Sequence, residues 1–248
     1  MPNEASDPWP DGAGQFATTH WSMVLRAGYG DDTRSHEALA RLCQTYWYPL
    51  YTFVRRHGRG PEDAQDLTQG FFAHLLENHA LATVDRARGL FRSFLLASLR
   101  NFMANEWDHA QAQKRGGGKA HVPLDTTSAE TRYGREPADP ASPDKVFERN
   151  WALTLLEQVL ERLRAEQAAA GKGAQFEQLQ DCLMGSPDAP RYAALAGRIG
   201  LNEEAARAAV SRLRRRYREL LRQEIGQTVS SPAEIEEEIG HLFRALES

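Results

Sequence analysis

Helical periodicity is the feature of this sequence that most constrains its fold. In almost every segment that can be interpreted, apolar residues recur at spacings of three and four, as Leu39, Leu42, Tyr46 and Leu50 do. Such spacing places apolar side chains on one face of an α-helix. No segment alternates convincingly between apolar and polar residues, as a half-buried β-strand would. The sequence therefore predicts an all-α fold.

A change of composition near the middle of the chain divides the helical segments into two groups. Residues 120–144 are rich in Pro, Ser, Thr, Ala and acids, which is typical of an extended linker. We therefore predict two helical domains joined by a flexible linker. The predicted boundaries are an N-terminal extension at 1–30, a first helical domain at 31–116, the linker at 117–147, a second helical domain at 148–225 and an acidic C-terminal helix at 226–248.

Apolar run lengths and cysteine usage indicate where the protein acts. No apolar run approaches the roughly 18–20 residues that a membrane helix needs. The first 15 residues have neither the basic start nor the apolar centre of a signal peptide. Cys43 and Cys182 are far apart in apolar helical patterns, which favours buried free thiols over a disulfide. We expect a cytoplasmic protein that does not bind membranes.

The net charge of −4 conceals blocks of opposite sign. Residues 191–222 contain nine arginines and three glutamates, and residues 86–119 contain seven basic residues and two acidic ones. Residues 223–248, in contrast, contain six glutamates and one arginine. Two basic segments separated by acidic stretches indicate two surfaces that bind one polyanion.

The stretch "VSRLRRRYRELL" at 210–221 carries five of these arginines. On a helix its apolar residues form one stripe, and the arginines lie beside or opposite that stripe. A short apolar helix and a turn at Gly200–Leu201 precede it, and Asn202 suits the N-cap of the second helix. This order is typical of a helix-turn-helix, whose second helix enters the DNA major groove. A solvated charged face is the alternative, although Arg212–Arg218 contains no acid to balance it.

The basic segment at 86–119 has a different composition. Asn101, Asn105 and Trp107 follow an apolar stripe and are interleaved with cations. Aromatic and amide groups beside cations suit unpaired bases, which stack and form hydrogen bonds. Trp107 could equally be a core or interface residue.

Three strings carry a resemblance to a known family: "PEDAQDLTQGFFAHLL", "FRSFLLASLRNFMANEW" and "YAALAGRIGLNEEAARAAVSRLRRRYRELL". The first contains D-x-x-Q-x-x-F-x-x-L at Asp66, Gln69, Phe72 and Leu75. Together they resemble the extracytoplasmic-function class of bacterial RNA polymerase sigma factors over about 35–115 and 150–225. The first two strings resemble sigma region 2, a helical bundle, and the third resembles region 4, a helix-turn-helix.

The resemblance implies a sigma factor that binds core RNA polymerase and directs promoter-specific initiation. Region 2 would melt and read the −10 element and bind the β′ clamp helices, and region 4 would read the −35 element and contact the β flap. The implied polymerase-binding residues are Asp66, Gln69 and Phe72. The implied −10 contacts are Arg100, Asn101, Asn105 and Trp107, with Asn101 capturing a flipped base. The implied −35 contacts are Arg207, Ser211, Arg212, Arg214 and Arg215.

The sequence departs from the family pattern at two places. Ala205 and Ala209 stand where the family often has threonine and a second basic residue. We therefore expect fewer hydrogen bonds to bases and a larger share of contacts with phosphates and thymine methyl groups. The segment 164–190 is also longer than a typical lead-in to region 4, which leaves the placement of Phe176–Leu183 open.

Other function classes explain less of the sequence. No H-E-x-x-H string or cysteine-paired zinc spacing is present, so we expect no enzyme, metal or cofactor. A stand-alone helix-turn-helix regulator with a helical effector domain explains the arginines but not the D-x-x-Q string. A helical adaptor that binds an acidic protein is a third reading. The sequence does not indicate what restrains the activity. The alternatives are an anti-sigma factor, a regulatory kinase and the acidic tail folded over a basic face.

Overall fold

The computed structural model describes residues 33–77, 91–112, 126–135, 141–183, 192–229 and 231–247. Every regular element in these segments is helical and none is a strand, which confirms the predicted all-α fold. The predicted N-terminal extension at 1–30 lies outside the described residues. The helices are α1 (Thr33–Arg56), α2 (Pro61–Glu77), α3 (Phe91–Ala112), α4 (Thr126–Tyr133), α5 (Pro143–Ala169), α6 (Gly173–Leu179), α7 (Tyr192–Ile199), α8 (Glu203–Gly226) and α9 (Glu234–Glu247), with a short 3₁₀ helix at Gln180–Cys182.

Helix α5 runs along α1 and forms the centre of the structure. The side-chain amide of Asn150 donates a hydrogen bond to the Thr52 hydroxyl at 3.1 Å, and both groups are buried. The Phe53 and Phe147 rings meet edge to face, with centroids 6.5 Å apart. A buried polar pair must be matched to avoid a desolvation cost, so this contact fixes how the two helices align.

One hydrophobic core continues through both groups of helices. Leu95 and Leu99 of α3, Leu220 of α8 and Leu242 of α9 are all buried, and α8 and α9 both pack against α5. All four belong to the same cluster of buried residues. The division into two separate domains stays a prediction, because in the described segments the helices of both groups share this core.

Helix α4 lies inside the segment whose composition predicted an extended linker. Ala129 is buried, and Glu130 accepts hydrogen bonds from Arg55 at 2.9 and 3.2 Å. The guanidinium of Arg55 also lies 4.6 Å from the centroid of the Tyr133 ring. The string "TTSAETRY" has weak helix propensity and no apolar stripe, so contacts with α1 rather than local preference make it helical. The rest of the predicted linker up to 125, and residues 136–140, lie outside the described residues.

The predicted acidic C-terminal helix is present as α9. It packs against α5 and α8, and Leu242 and Ala245 are buried in that contact. None of the helices in the described part of the chain is long and apolar enough to cross a bilayer.

Candidate nucleic-acid interface

Helices α7 and α8 form the predicted helix-turn-helix. Gly200, at the turn, has a φ of +67°, a left-handed conformation that glycine adopts without strain. The Asn202 side chain then accepts a hydrogen bond from the Ala205 N–H at 2.7 Å and caps α8 as expected. The apolar stripe of α8 is buried, comprising Val210, Leu213, Tyr217 and Leu220. The opposite side of α8 therefore faces solvent.

The exposed residues of this side form a surface that we call the α8 cationic face. It consists of Arg207, Ser211, Arg212, Arg215, Arg218 and Arg222. The Arg215 side chain is 76% exposed, and its guanidinium lies 3.7 Å from the Glu219 carboxylate. Arg207 pairs with Glu203 at 2.5 Å, and its guanidinium lies 5.3 Å from the Tyr192 ring centroid. Residues 205–218 contain no acid, so the face is strongly cationic over more than three turns.

Two further arginines of α8, Arg214 and Arg216, lie outside the α8 cationic face because they are partly buried. Arg214, a predicted −35 contact, donates from Nε at 3.0 Å and from Nη2 at 2.6 Å to the Cys182 carbonyl. Arg216 donates two hydrogen bonds of 2.8 Å to Glu166, and these bonds lower the pKa of the Glu166 carboxyl. At about 100° per residue, Arg214 and Arg216 each lie about 80° from the centre of the buried stripe, so they reach neighbouring elements. That angle is the sequence signal that separates them from the exposed arginines.

The predicted −10 residues lie on α3. Asn101 and Asn105 are exposed and share one side of the helix, because they are four residues apart. Arg100 is half exposed, forms an ion pair with Asp144 at the start of α5, and stacks 5.5 Å from the Phe53 ring centroid. Trp107 belongs to α3, but its side chain lies outside the described residues.

The predicted polymerase-binding residues on α2 differ in how far their side chains are exposed. Asp66 is exposed, whereas Gln69 is 8% and Phe72 is 6% exposed. In this arrangement only Asp66 presents its side chain to a partner, and Phe72 packs beside Phe71 with ring centroids 5.9 Å apart. The motif gives residue types and spacing, and it does not indicate which of them face the core.

A buried ionic cluster, which we call the Arg92 cluster, joins three helices and was missed from the sequence. Arg92 of α3 forms ion pairs with Glu238 of α9 and, at 2.8 Å, with Glu148 of α5. His241 Nε2 lies 3.0 Å from Glu148, and the Arg92 guanidinium lies 4.8 Å from the Trp151 ring centroid. Burial raises the pKa of the Glu238 carboxyl. The partners of Arg92 are 56 and 146 residues away in the chain, so no local pattern indicates them.

The described helices were also searched for a metal site and for a cleft that could hold a ligand. There, no three His, Cys, Asp or Glu side chains lie close enough together to hold a metal ion. A cleft of about 680 Å³ between α1 and α5 is lined by Thr45, Tyr46, Trp151, Gln158 and Arg162. Most of its polar groups are bonded to one another, as Thr45 is to Gln158 at 2.8 Å and Arg162 is to Glu224 at 2.6 Å. The hydroxyl of Thr154, which also lines the cleft, is buried without a hydrogen-bond partner among the described residues. This pairing leaves few groups there to orient a ligand.

Comparison of the chain with protein-family models, with curated protein sequences and with solved structures gave no significant match.

Proposed function

We propose that this protein is a cytoplasmic sigma factor of the extracytoplasmic-function type, which binds core RNA polymerase and directs promoter-specific initiation. The observation that carries the proposal is the α8 cationic face, which stands on the second helix of a helix-turn-helix. The guanidinium groups of such a helix can each donate two parallel hydrogen bonds to a phosphate or to the edge of a guanine in the major groove. The three strings that resemble sigma regions 2 and 4 favour a sigma factor over other helix-turn-helix proteins.

Each surface has a role in this proposal. The α8 cationic face reads the −35 element, with Arg207 and Arg212 as the main base contacts. Asn101 and Asn105 on α3 receive a base flipped from the −10 element. Unstacking a base costs a few kcal/mol, which stacking and edge hydrogen bonds in the receiving site must offset.

The polymerase supplies the catalysis, so the chain needs no cofactor of its own. Asp66 is the exposed contact for the β′ clamp helices, and the second group of helices contacts the β flap. Anti-sigma factors and regulatory kinases are candidate partners that would restrain activity. Promoter DNA is the common ligand of both groups of helices.

A stand-alone helix-turn-helix regulator is the second candidate. The burial of Gln69 and Phe72 favours it, because only Asp66 of the three predicted polymerase-binding side chains is then accessible. Such a regulator would bind duplex operator DNA tightly without polymerase. It would not support transcription by core enzyme.

Run-off transcription with purified bacterial core RNA polymerase and a promoter library separates the two functions. A sigma factor yields transcripts that depend on the added chain, and a stand-alone regulator yields none. Asp66→Asn should weaken association with core polymerase, while Asp63→Asn, an exposed acid on the same helix, should not. Equal association of both variants with polymerase would remove Asp66 from the docking surface.

Asn101→Ala tests the role of α3 in the same assay. It should leave polymerase association intact and impair open-complex formation. Ser93→Ala is the matched control, because Ser93 is exposed on the same helix. Loss of polymerase association in Asn101→Ala would show instead that Asn101 supports the structure of α3.

A further inference from the structure

Helix α7 contributes an aromatic ring to the edge of the α8 cationic face. Tyr192, the first residue of α7, is partly buried and packs against the hydrophobic core. The Arg207 guanidinium lies over its ring, 5.3 Å from the centroid, where the aromatic face attracts a cation. Because the core holds the ring in place, the ring restricts where the Arg207 side chain can lie.

A second contact holds the same guanidinium. Nη2 of Arg207 donates a hydrogen bond of 2.5 Å to the Glu203 carboxylate, one turn earlier on α8. A guanidinium carries five N–H donors, and among the described residues Nε and Nη1 of Arg207 have no acceptor. The Arg207 side chain is also 63% exposed. Arg207 is therefore restrained by two neighbours and still has donors available to a ligand.

Three other arginines of the α8 cationic face lack this restraint. Arg212 forms no ion pair among the described residues. Arg215 and Arg218 contact only groups of α8 itself, a carboxylate at 3.7 Å and a backbone carbonyl at 3.3 Å. A mobile arginine can neutralise a phosphate from many directions, whereas the acceptors on a base edge stand at fixed positions. The restraint on Arg207 therefore suits a base more than a phosphate.

The position of Arg207 along α8 agrees with a base contact. Arg207 is the fifth residue of the helix, and the first turns of a recognition helix are the part that contacts base edges. Arg215 and Arg222 lie about 12 Å and about 22 Å further along the axis, at 1.5 Å per residue. A straight helix leaves the curved groove over such a distance, so these two arginines are placed to reach phosphates.

We propose that Tyr192 is a positioning residue that, together with Glu203, holds the Arg207 guanidinium as a bidentate donor to one guanine in the major groove. The O6 and N7 atoms of guanine are the acceptors that match a guanidinium. The inference rests on the proposed function, since it requires that α8 reads duplex DNA. Tyr192 acts through Arg207 and sharpens the choice of base.

Selection from a pool of DNA duplexes with a randomised central stretch tests the base contact. The pool is mixed with the full chain, alone and assembled with core RNA polymerase, and the bound duplexes are sequenced. Wild type should select guanine at one position by about 5- to 150-fold, the discrimination of one bidentate contact. Arg207→Ala should abolish this preference. A wild type that selects no guanine, or an Arg207→Ala variant that selects the same one, would overturn the proposal.

Two substitutions of Tyr192 separate the ring from the rest of the side chain. Tyr192→Leu removes the aromatic face and stays apolar, whereas the control Tyr192→Phe keeps the face. Tyr192→Leu should reduce the preference for guanine by about 2- to 5-fold, as loss of an exposed cation–π contact does. Tyr192→Phe should leave it unchanged, and equal preferences in the two variants would contradict the role of the ring. If Tyr192→Leu does not fold, Tyr192→Met serves instead, because its flexible side chain fills irregular space.

A purely structural role for Tyr192 predicts a different result. Damage to the fold lowers Tm and the affinity for every duplex, but it cancels from the ratio between two sequences. In an Arg207→Ala background, Tyr192→Leu should leave the selected sequences unchanged, because its effect on them passes through Arg207. A further change of selected sequence in the double variant would show that Tyr192 does not act through Arg207.

Glu203→Ala and Glu204→Ala form a matched pair for the second contact, because both remove an exposed acid from the first turn of α8. Both should strengthen binding to all duplexes, since each removes a negative charge near the phosphates. Only Glu203→Ala should weaken the preference for guanine at the position that Arg207→Ala affects. The same preference in both variants would remove Glu203 from the positioning of Arg207.

Failure of this inference and failure of the proposed function give different results. Absence of transcripts in the run-off assay, with the selection of guanine intact, would overturn the sigma-factor function and leave the role of Tyr192 standing. Transcripts that depend on the added chain, with a preference for guanine that Tyr192→Leu does not reduce, would overturn the role of Tyr192 alone.

Discussion

Arg212 and Arg214 lie two residues apart on α8, and the structure predicts opposite consequences for their substitution by alanine. Arg212 is exposed, and among the described residues it forms no ion pair. Arg214 is half buried and donates two hydrogen bonds to the Cys182 carbonyl. Arg212→Ala should therefore weaken DNA binding and leave stability unchanged. Arg214→Ala should lower stability and leave DNA binding nearly unchanged.

The magnitudes follow from the contacts of each side chain. Hydrogen bonds that involve a charged group contribute about 1.5–3 kcal/mol, so Arg214→Ala should reduce the free energy of unfolding by about 2 kcal/mol. For a chain of this size, that reduction corresponds to a fall in Tm of about 4–8 °C. Arg212→Ala should stay within about 0.5 kcal/mol of the wild type, as surface substitutions usually do.

DNA binding should show the reverse order. A phosphate contact made by Arg212 accounts for about 0.9 of the slope of the binding constant against salt. A bidentate base contact would instead cost about 1–3 kcal/mol at its preferred sequence. Circular dichroism gives Tm, and fluorescence anisotropy with a promoter duplex across a salt series gives the slope. A reduced slope with unchanged Tm for Arg214→Ala would refute the assignment of Arg214 to a structural contact with Cys182.

Three further predictions concern stability. Gly200→Ala forces an alanine to a φ of +67° and should lower the free energy of unfolding by about 1–2 kcal/mol. Gly197→Ala, in open space on α7, should raise it by about 0.5–1 kcal/mol, and urea denaturation compares the two variants. The hydrogen bonds from Arg216 lower the pKa of Glu166, so their stabilisation is present above the unfolded-state pKa and is lost as pH falls through the folded-state pKa. The difference in unfolding free energy between wild type and Glu166→Gln should therefore shrink on acidification, and a difference independent of pH would contradict this origin. Tyr217→Phe removes a 3.1 Å hydrogen bond to a buried carbonyl of α5 and should cost about 1–2 kcal/mol by urea denaturation, with no change in the slope of DNA binding against salt.

The sequence predicts the helices well where their apolar stripes are long. The buried stripe of α8 and its N-cap at Asn202 follow from spacing and residue type, which are local properties. Helix α4 does not follow, because its eight residues carry no stripe and depend on Arg55 and other groups of α1. Length and amphipathicity therefore decide which helices can be read from the sequence.

The candidate site is predictable to a smaller extent. Spacing places Asn101 with Asn105, and this holds in the structure. It also places most of the α8 arginines away from the core, but Arg214 and Arg216 are partly buried and bind Cys182 and Glu166. The burial of Gln69 depends on which face α2 turns to the other helices, and a motif does not contain that information. The pairing of Arg92 with Glu238 spans 146 residues and is set by tertiary packing alone.

The number of charges in the acidic tail does not predict which residues they pair with. Its excess of glutamates suggests a helix that screens the α8 cationic face, yet in the described structure only Glu236 pairs with an arginine of that face. Glu238 instead pairs with Arg92, in the interior. Screening between exposed charges fades at high salt, because the Debye length falls from about 10 Å at 0.1 M to about 3 Å at 1 M. A buried ion pair is screened far less. The pairing of Arg92 with Glu238 should therefore persist at 1 M salt, whereas the exposed pairing of Arg222 with Glu236 should be lost there. Urea denaturation at 0.1 M and 1 M salt tests this: the destabilisation by Glu238→Gln should be nearly the same at both salt concentrations, and any destabilisation by Glu236→Gln should vanish at 1 M.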